Sequence, residues 1–269
     1  MIKYLLDKSK SGFEFRPFVL KGGRLALDLI APPTCPITGE RLSKPGLLSP
    51  AGWAKLNFIA DPICSLCGIP FEVTQTLEPN VICGACAAQR PSFDTARSVV
   101  AYTDVSRKII LSFKSGDRTE LASMYADWLA QIIPSSLQGK SFHITAPPLH
   151  WRRLWSRRYN QSALIAKYLS ASKYCENSVF APDLLIRKRP TVPQKDLTFE
   201  GRWRNVSGAF AANEKRTEMI SGASVLLIDD VFTSGATLSE CARVLKRAGA
   251  AEVHALTIAR VVKSGAIAI

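Results

Sequence analysis

The stretch VLLIDDVFTSGAT, residues 225–237, decides the fold of this chain of 269 residues. Its first four residues are a continuous apolar run, which is typical of a strand buried on both faces of a parallel sheet. We predict a strand over residues 224–228 that ends where Asp229 and Asp230 begin. Two adjacent carboxylates cannot stay unpaired inside such a sheet. They should therefore emerge at its carboxyl edge, where open α/β sheets bind ligands.

The turn after the two acids indicates a phosphate site. It offers small side chains, three hydroxyls and a glycine, and a pattern that predicts a helix over residues 238–248 follows it. Backbone amides at a helix N-terminus and hydroxyl donors converge on an anion, and glycine permits close backbone approach. A plain polar turn capped by Thr237 is the alternative, but it needs neither the acids nor the whole TSGAT run. The predicted phosphate ligands are Thr233, Ser234, Gly235, Ala236 and Thr237.

The texture of the sequence changes at Pro91. Residues 32–91 are rich in proline, glycine and cysteine, which is typical of a small module without a large core. From residue 92 onward, short apolar runs alternate with helical patterns, the order that predicts βαβ units around a mostly parallel sheet. We therefore predict an N-terminal segment over residues 1–31, a small module over 32–91 and an α/β domain over 92–269, with no internal repeat.

Four cysteines predict one structural zinc ion. They form two C-x2-C pairs separated by fifteen residues, a spacing typical of a four-thiolate zinc site. Four free thiols or a redox pair are the alternatives. Because every ligand is a thiolate, no position is open to a substrate, and the ion should be structural. Cys35 resembles half of another pair, but Thr38 stands where its partner is needed. The predicted ligands are Cys64, Cys67, Cys83 and Cys86.

The chain is basic, with 35 lysine and arginine residues against 22 aspartate and glutamate residues and a net charge of +13. Residues 148–204 hold twelve of the basic residues and four of the acidic ones, a local excess of +8. This excess favours a polyanionic partner or a strongly anionic substrate. No secretory pattern and no uncharged stretch near the ~20 residues of a membrane span is present, so we expect a cytoplasmic protein without membrane insertion.

A second ligand loop is predicted at residues 147–161, PPLHWRRLWSRRYNQ. It lies between a predicted strand and a predicted helix of the same sheet, and so belongs to the ligand-facing edge. Its arginines would neutralise a diphosphate leaving group through charge-assisted hydrogen bonds, and its amides add neutral donors. A solvated basic loop is the alternative, and the interleaved aromatic residues keep base stacking open. The candidate ligands are Arg152, Arg153, Arg157, Arg158, Asn160 and Gln161.

A third loop is predicted within residues 190–207, a basic stretch that we expect to be irregular. Its part TVPQKDLTFEGRWR, residues 191–204, is long and polar, which is typical of a lid or of an exposed connector. Its candidate ligands are Gln194, Lys195 and Arg202, together with Asn205 just beyond it. Lys114 either reaches the site or lies on a solvated helix face.

Residues 225–237 resemble the PRPP-binding motif of type I phosphoribosyltransferases, in which an apolar run, two acids and a Thr/Ser-Gly-x-Thr turn follow one another. With the cysteine module ahead of it, the chain resembles the ComF family, the competence protein F-like proteins of bacteria. The segments CSLCGIPF, CGAC, SFKSGDR, PPLHWRRLWSRRYNQ and RNVSGAF carry the rest of the likeness. The resemblance implies a type I phosphoribosyltransferase-like parallel sheet with flanking helices, preceded by a small zinc ribbon. Phe232 stands where the family usually has an aliphatic residue, and Cys35 looks like the remnant of a second ribbon.

The same resemblance implies roles for the site. Asp229 and Asp230 would bind the ribose hydroxyls of PRPP, which carries Mg²⁺, and residues 233–237 would bind its 5′-phosphate. The third loop would close over the bound PRPP. The family also implies a link to competence and DNA uptake.

Several functions stay open at this stage. In one, the chain is a phosphoribosyltransferase that joins PRPP to a nitrogen acceptor, with Asp229, Asp230 and Arg157 as catalytic residues that act by charge stabilisation. In another, it is a non-catalytic accessory of DNA uptake or processing that binds single-stranded DNA or a nucleotide and works with a protein of that process. A regulator that senses PRPP without turnover is a third.

Overall fold

The computed structural model of the chain describes residues 32–71, 80–115, 118–150, 159–192 and 197–262. Its strands are β1 (Thr95–Ala101), β2 (Phe142–Thr145), β3 (Ser178–Phe180), β4 (Leu185–Arg187), β5 (Phe210–Ala212), β6 (Ser224–Phe232) and β7 (Glu252–Arg260). Its helices are α1 (Pro50–Trp53), α2 (Gly84–Ala88), α3 (Asp104–Ser115), α4 (Leu121–Ala130), α5 (Gln161–Ser170), α6 (Phe199–Val206), α7 (Thr217–Ile220) and α8 (Ala236–Arg247). No helix within these ranges is long and apolar enough to cross a membrane.

Five strands form one parallel sheet in the order β1-β7-β6-β2-β3, and β4 and β5 form a separate antiparallel pair. The central strand β6 alternates between two apolar cores, as side chains on a pleated strand must. Val225 and Leu227 pack into the core that contains α8, whereas Leu226 and Ile228 pack into the core that contains α4 and α5. The predicted α/β class with a parallel sheet and flanking helices is confirmed.

The end of β6 differs from the sequence prediction. The strand does not stop at residue 228 but continues through both acids to Phe232. Its neighbour β7 pairs with it along this extra length, whereas β2 on the other side pairs only as far as Thr145 opposite Leu227. The carboxylates therefore lie on a strand that has a hydrogen-bonded neighbour on one side only. The predicted position at the carboxyl edge of the sheet holds, but the predicted end of the strand is wrong.

The stretch 190–207 is also more regular than predicted, because α6 lies inside it. Thr198 begins this helix as an N-cap, and its Oγ1 accepts a hydrogen bond from the amide of Gly201 at 3.1 Å. Trp203 and Val206 pack against the same core as α8, which stabilises a helix too polar to be recognised from periodicity. Tertiary contact thus outweighs the weak local signal.

The cysteine module shares its core with the sheet domain. The four cysteines of the predicted zinc site belong to one apolar cluster with Phe93, Phe232 and Leu238. The amide of Ala96 in β1 donates to the carbonyl of Leu66 at 2.6 Å, so the module is also joined to the sheet by its backbone. The ribbon is therefore packed against the domain that carries the acidic motif.

The cysteine module contains a structural repeat, contrary to the prediction that the chain has none. In the turn of residues 35–40, the amide of Cys35 donates to the carbonyl of Glu40 at 2.8 Å, and the amide of Gly39 donates to the carbonyl of Cys35 at 2.9 Å. The turn of residues 64–69 has the equivalent two hydrogen bonds, from the amide of Cys64 to the carbonyl of Ile69 and from the amide of Gly68 to the carbonyl of Cys64, both at 2.8 Å. The first turn is followed by α1 and the second by α2, with Ser49 and Cys83 as the respective N-caps. The module thus consists of two similar ribbons.

Candidate phosphate and zinc sites

The acidic pair at the end of β6 is held by side chains from two helices. Ser162 in α5 donates to Asp229 Oδ1 at 3.0 Å, and the amide of Asp230 donates to the same oxygen at 2.9 Å. Lys114 in α3 places its Nζ 2.7 Å from Asp230 Oδ2, and about a fifth of each side chain remains exposed. Each carboxylate is thus oriented by a partner, and the side chain of Asp230 is still reachable from solvent.

Burial and the neighbouring carboxylate of Asp230 raise the pKa of Asp229 to about 7. Hydrogen bonds from the Asp230 amide and Ser162, together with the charge of Lys114, act in the opposite direction but do not cancel the effect. Asp229 therefore binds a proton more readily than an ordinary aspartate does. A ligand that donates hydrogen bonds to this carboxylate would favour its charged form, because such bonds stabilise the anion.

The phosphate loop, residues 233–237, turns sharply at Gly235. This residue has a φ of 74° and precedes the first residue of α8. A Cβ atom at this position would lie 2.6 Å from the ring of Phe232, so glycine is required both by the left-handed backbone and by the ring below it. The amide of Ala236 donates to Ser234 Oγ at 3.4 Å. The loop thus leads directly into a twelve-residue helix, whose N-terminus favours an anion.

The N-terminus of α5 positions Lys114. Tyr159 donates from its hydroxyl to the carbonyl of Phe113 at 2.9 Å, and Gln161 Nε2 donates to the carbonyl of Lys114 at 3.4 Å. Asn160 caps α5 by accepting from the amide of Ala163 at 3.3 Å. The structure gives Asn160 and Gln161 these backbone partners, while their role as ligands of a substrate stays a prediction.

Sequence reasoning did not identify Ser162 and left the role of Lys114 open. The only signal for Ser162 is its place in the first turn of a helix that follows the basic loop. Lys114 lies in the segment SFKSGDR, and the packing of α3 against the start of α5 brings its side chain to the acids. Both residues reach the site through contacts between elements that are distant in sequence.

Several predicted ligands lie outside the described residues: Arg152, Arg153, Arg157, Arg158, Gln194 and Lys195. The described flank of the third loop is held by Asn205, whose side chain exchanges two hydrogen bonds with the backbone of Val192, at 3.2 and 3.0 Å. Arg202 lies half-buried in α6, which packs against α8. A contact of these side chains with a ligand stays a prediction.

The four cysteines of the second ribbon form a site that suits zinc. Their sulfur atoms all lie within 4.8 Å of one another, and all four residues are buried. The amides of Cys67 and Cys83 point at Cys64 Sγ, at 3.5 and 3.3 Å. Four convergent sulfurs with amide donors to one of them are the donor set of a structural zinc ion.

The first ribbon does not offer such a donor set. At the positions that correspond to the four ligands it has Cys35, Thr38, Ser49 and Gly52. Thr38 Oγ1 and Ser49 Oγ lie 2.9 Å apart, and a Cβ atom on Gly52 would lie 2.8 Å from Cys35 Sγ. Burial raises the pKa of Cys35, but hydrogen bonds with Ser49 and Thr38 outweigh it and lower the pKa to about 6. Hydrogen bonds thus connect these groups at the positions where the second ribbon has its thiols.

We expect one zinc ion per chain. Elemental analysis of the purified protein should give a zinc-to-chain ratio near one, and Cys35→Ser should leave that ratio unchanged. Cys64→Ser should remove the ion, because it deletes one of four ligands of a closed site. A ratio of two, or loss of zinc on replacing Cys35, would show that the first ribbon also binds metal.

Known domains match both parts of the chain. The double zinc ribbon domain matches residues 26–88, and the phosphoribosyl transferase domain matches residues 179–265. The latter range includes β6, the phosphate loop and α8.

Named relatives match most of the chain. DNA utilization protein YhgH of Salmonella typhimurium is 30% identical over 203 residues, which are 74% of this chain and 84% of the relative. Competence protein F of Haemophilus influenzae is 28% identical over 204 residues, 74% of this chain and 85% of the relative. Competence protein ComFC of Bacillus subtilis is 27% identical over 214 residues, 77% of this chain and 81% of the relative.

Proposed function

The chain belongs to the ComF family, whose members join a zinc ribbon to a phosphoribosyl transferase domain, and we propose that it binds PRPP with Mg²⁺ at the end of β6. Asp229 and Asp230 accept hydrogen bonds from the ribose hydroxyls in this proposal. The 5′-phosphate lies against the phosphate loop, where Thr233, Ser234, Gly235, Ala236 and Thr237 precede and begin α8.

The observation that carries the proposal is the placement of two partly buried carboxylates near the end of β6, shortly before a left-handed glycine that leads into a helix. A phosphorylated ribose has hydroxyls at one end and a phosphate at the other. It therefore needs acceptors and an anion site within the length of one sugar. Lys114 adds a cation 2.7 Å from Asp230 Oδ2. In this proposal its ammonium group either stays paired with that carboxylate or turns to the diphosphate.

Transfer chemistry follows from this arrangement if an acceptor binds. The C1–O bond of PRPP breaks, pyrophosphate leaves with the electron pair, and a nitrogen lone pair forms the new bond to C1. The carboxylates of Asp229 and Asp230 stabilise the positive charge that develops on the ribose. Bound Mg²⁺ supplies charge neutralisation at the diphosphate. In this proposal Lys114 and the arginines of the second ligand loop, residues 147–161, bind the leaving diphosphate. Arg157 is the arginine that stabilises its charge in the transition state.

Binding of single-stranded DNA is the second candidate function. The relatives' names concern DNA utilization and competence, and the excess of +8 in residues 148–204 favours a polyanion. Lys188, Arg189 and Arg204 in this range are exposed. In this second proposal the protein is cytoplasmic, and the acidic pair and the phosphate loop recognise a nucleotide. It works with a protein of DNA uptake or processing.

Pyrophosphate release separates transfer from binding alone. Wild type is incubated with PRPP, Mg²⁺ and a panel of nitrogen nucleophiles, and we expect release with at least one of them. Asp229→Asn should slow that release by about 100-fold or more, because it removes charge where the transition state needs it. Asp183→Asn is the matched control, since Asp183 pairs at 2.9 Å with Arg216 and its only other hydrogen bond among the described residues is with Asn213. Equal release by wild type and Asp229→Asn with every nucleophile would refute transfer.

A further inference from the structure

A buried arginine lies between the predicted zinc centre and the phosphate loop. Arg260, the last residue of β7, is 3% exposed. Its Nη1 donates to the carbonyl of Cys67, and its Cζ lies 4.6 Å from the centre of the Phe232 ring. Among the described residues no aspartate or glutamate forms an ion pair with it, and its Nε has no hydrogen-bond partner. This cation therefore needs a compensating charge of another kind.

The zinc centre supplies that charge. One Zn²⁺ ion bound by four thiolates carries a net charge of −2, which is itself costly to bury without a cation nearby. Arg260 contacts the ribbon at Cys67, and Arg97 contacts the neighbouring residue Ser65, where its Nη1 donates to the carbonyl at 3.1 Å. The two arginines thus flank a centre whose charge equals and opposes their own.

The other face of Arg260 leads to the phosphate loop. Arg260 and Phe232 are paired across β7 and β6, so the guanidinium lies over the Phe232 ring by backbone register as well as by side-chain contact. The ring in turn packs under Gly235, where a Cβ atom would come within 2.6 Å of it. Phe93 packs on the same ring edge-on, with centroids 6.1 Å apart. The Phe232 ring therefore lies directly under Gly235 of the phosphate loop, with Arg260 stacked on it.

We propose that Arg260 is a positioning residue that couples the zinc centre to the phosphate loop. Its guanidinium balances the charge of the zinc-thiolate centre and, by stacking, holds Phe232 beneath Gly235. Loss of zinc leaves the buried cation uncompensated, so Arg260 moves and the loop loses the ring beneath Gly235. The coupling rests on the proposed function only where it concerns the affinity for PRPP. Its effect on the loop itself is independent of any ligand.

Three variants separate the steps of this coupling. Arg260→Met removes one charge beside the ribbon together with the stacking on Phe232. Arg97→Met removes the other charge beside the ribbon but not the stacking, and Phe232→Leu removes the ring under Gly235 but neither charge. We expect zinc release to a chelator to be about 10- to 100-fold faster in Arg260→Met, as for other groups that support metal ligands. Arg97→Met should also release zinc faster. Phe232→Leu should release it at the wild-type rate.

Hydrogen exchange of the amides of residues 234–238, measured by mass spectrometry, reports on the loop without a ligand. In wild type, zinc removal should speed this exchange by about tenfold, the effect of losing roughly 1.4 kcal/mol of local stability. Zinc-loaded Arg260→Met should already exchange that fast, and chelation should then add less than about twofold, because the two changes act through one contact. Zinc-loaded Arg97→Met should exchange like wild type, and zinc-loaded Phe232→Leu should exchange fast.

The inference is overturned if zinc-loaded Arg260→Met exchanges like wild type at residues 234–238, or if chelation speeds its exchange as much as in wild type. Should Arg260→Met not fold, zinc-loaded Phe232→Leu decides alone, and wild-type exchange in that variant contradicts the coupling. Titration of the same samples with PRPP and Mg²⁺ keeps the two proposals apart. Coupled exchange without PRPP binding refutes only the proposed function, whereas PRPP binding with uncoupled exchange refutes only the role of Arg260.

Discussion

Asp229→Asn should weaken the binding of PRPP with Mg²⁺ by about 10- to 100-fold, because hydrogen bonds to a charged acceptor contribute about 1.5–3 kcal/mol. The substitution keeps the shape of the side chain and its contact with Ser162 while removing the charge. Asp183→Asn, an equally conservative change in an exposed ion pair, should bind like wild type. Equal affinities of wild type and Asp229→Asn would contradict the assignment of the ribose hydroxyls to this carboxylate.

The raised pKa of Asp229 adds a pH dependence to this prediction. Between pH 4 and about 7 the folded protein holds a proton that the unfolded chain releases, so Asp229 contributes less stability to the free protein as the pH rises through this window. PRPP binding requires the charged form, and wild-type affinity should therefore increase from pH 6 to pH 8. The affinity of Asp229→Asn should retain only the pH dependence that comes from the ionisation of PRPP itself and should lose the part that comes from Asp229. Parallel pH profiles of the two proteins would contradict the raised pKa or its link to binding.

Zinc removal should have the second large effect, on stability. Folding of isolated zinc-binding peptides gains about 10–16 kcal/mol from the ion, and here part of the ribbon core is shared with the sheet domain. A loss of about 5 kcal/mol corresponds to a fall of roughly 10–20 °C in the thermal midpoint for a chain of this size. Cys64→Ser should show the same fall without a chelator, and Cys35→Ser should lie within a few degrees of wild type. A midpoint that responds to neither chelator nor Cys64→Ser would rule out a structural role for the ion.

Much of the fold was predictable, because its strongest signals are local in sequence. The apolar run of β6, the acids after it and the glycine turn lie within thirteen residues, and the two C-x2-C pairs have a spacing that few other structures require. The end of β6 could not be predicted, since it depends on β7 continuing where β2 stops. The boundaries at residues 31 and 91 stay predictions.

The missed features share a different cause. The first ribbon retains one thiol of four, so its likeness to the second is visible only in backbone hydrogen bonds. Ser162 and Lys114 reach the acids through the packing of helices, which no spacing in the sequence encodes. Arg260 is the last residue of an apolar strand, where a charged side chain is ordinarily exposed, yet it is buried beside the ribbon. Contacts between distant segments determine each of these positions.

The central claim, that the end of β6 holds a phosphorylated ribose, is tested most directly by calorimetric titration. Wild type is titrated with PRPP plus Mg²⁺ and, separately, with a single-stranded oligonucleotide at moderate salt. We predict saturable binding of one PRPP per chain, weakened in Asp229→Asn and retained in Asp183→Asn. Absence of PRPP binding in wild type, or equal binding in Asp229→Asn, would contradict the claim, and strong oligonucleotide binding in that case would favour the DNA-binding function.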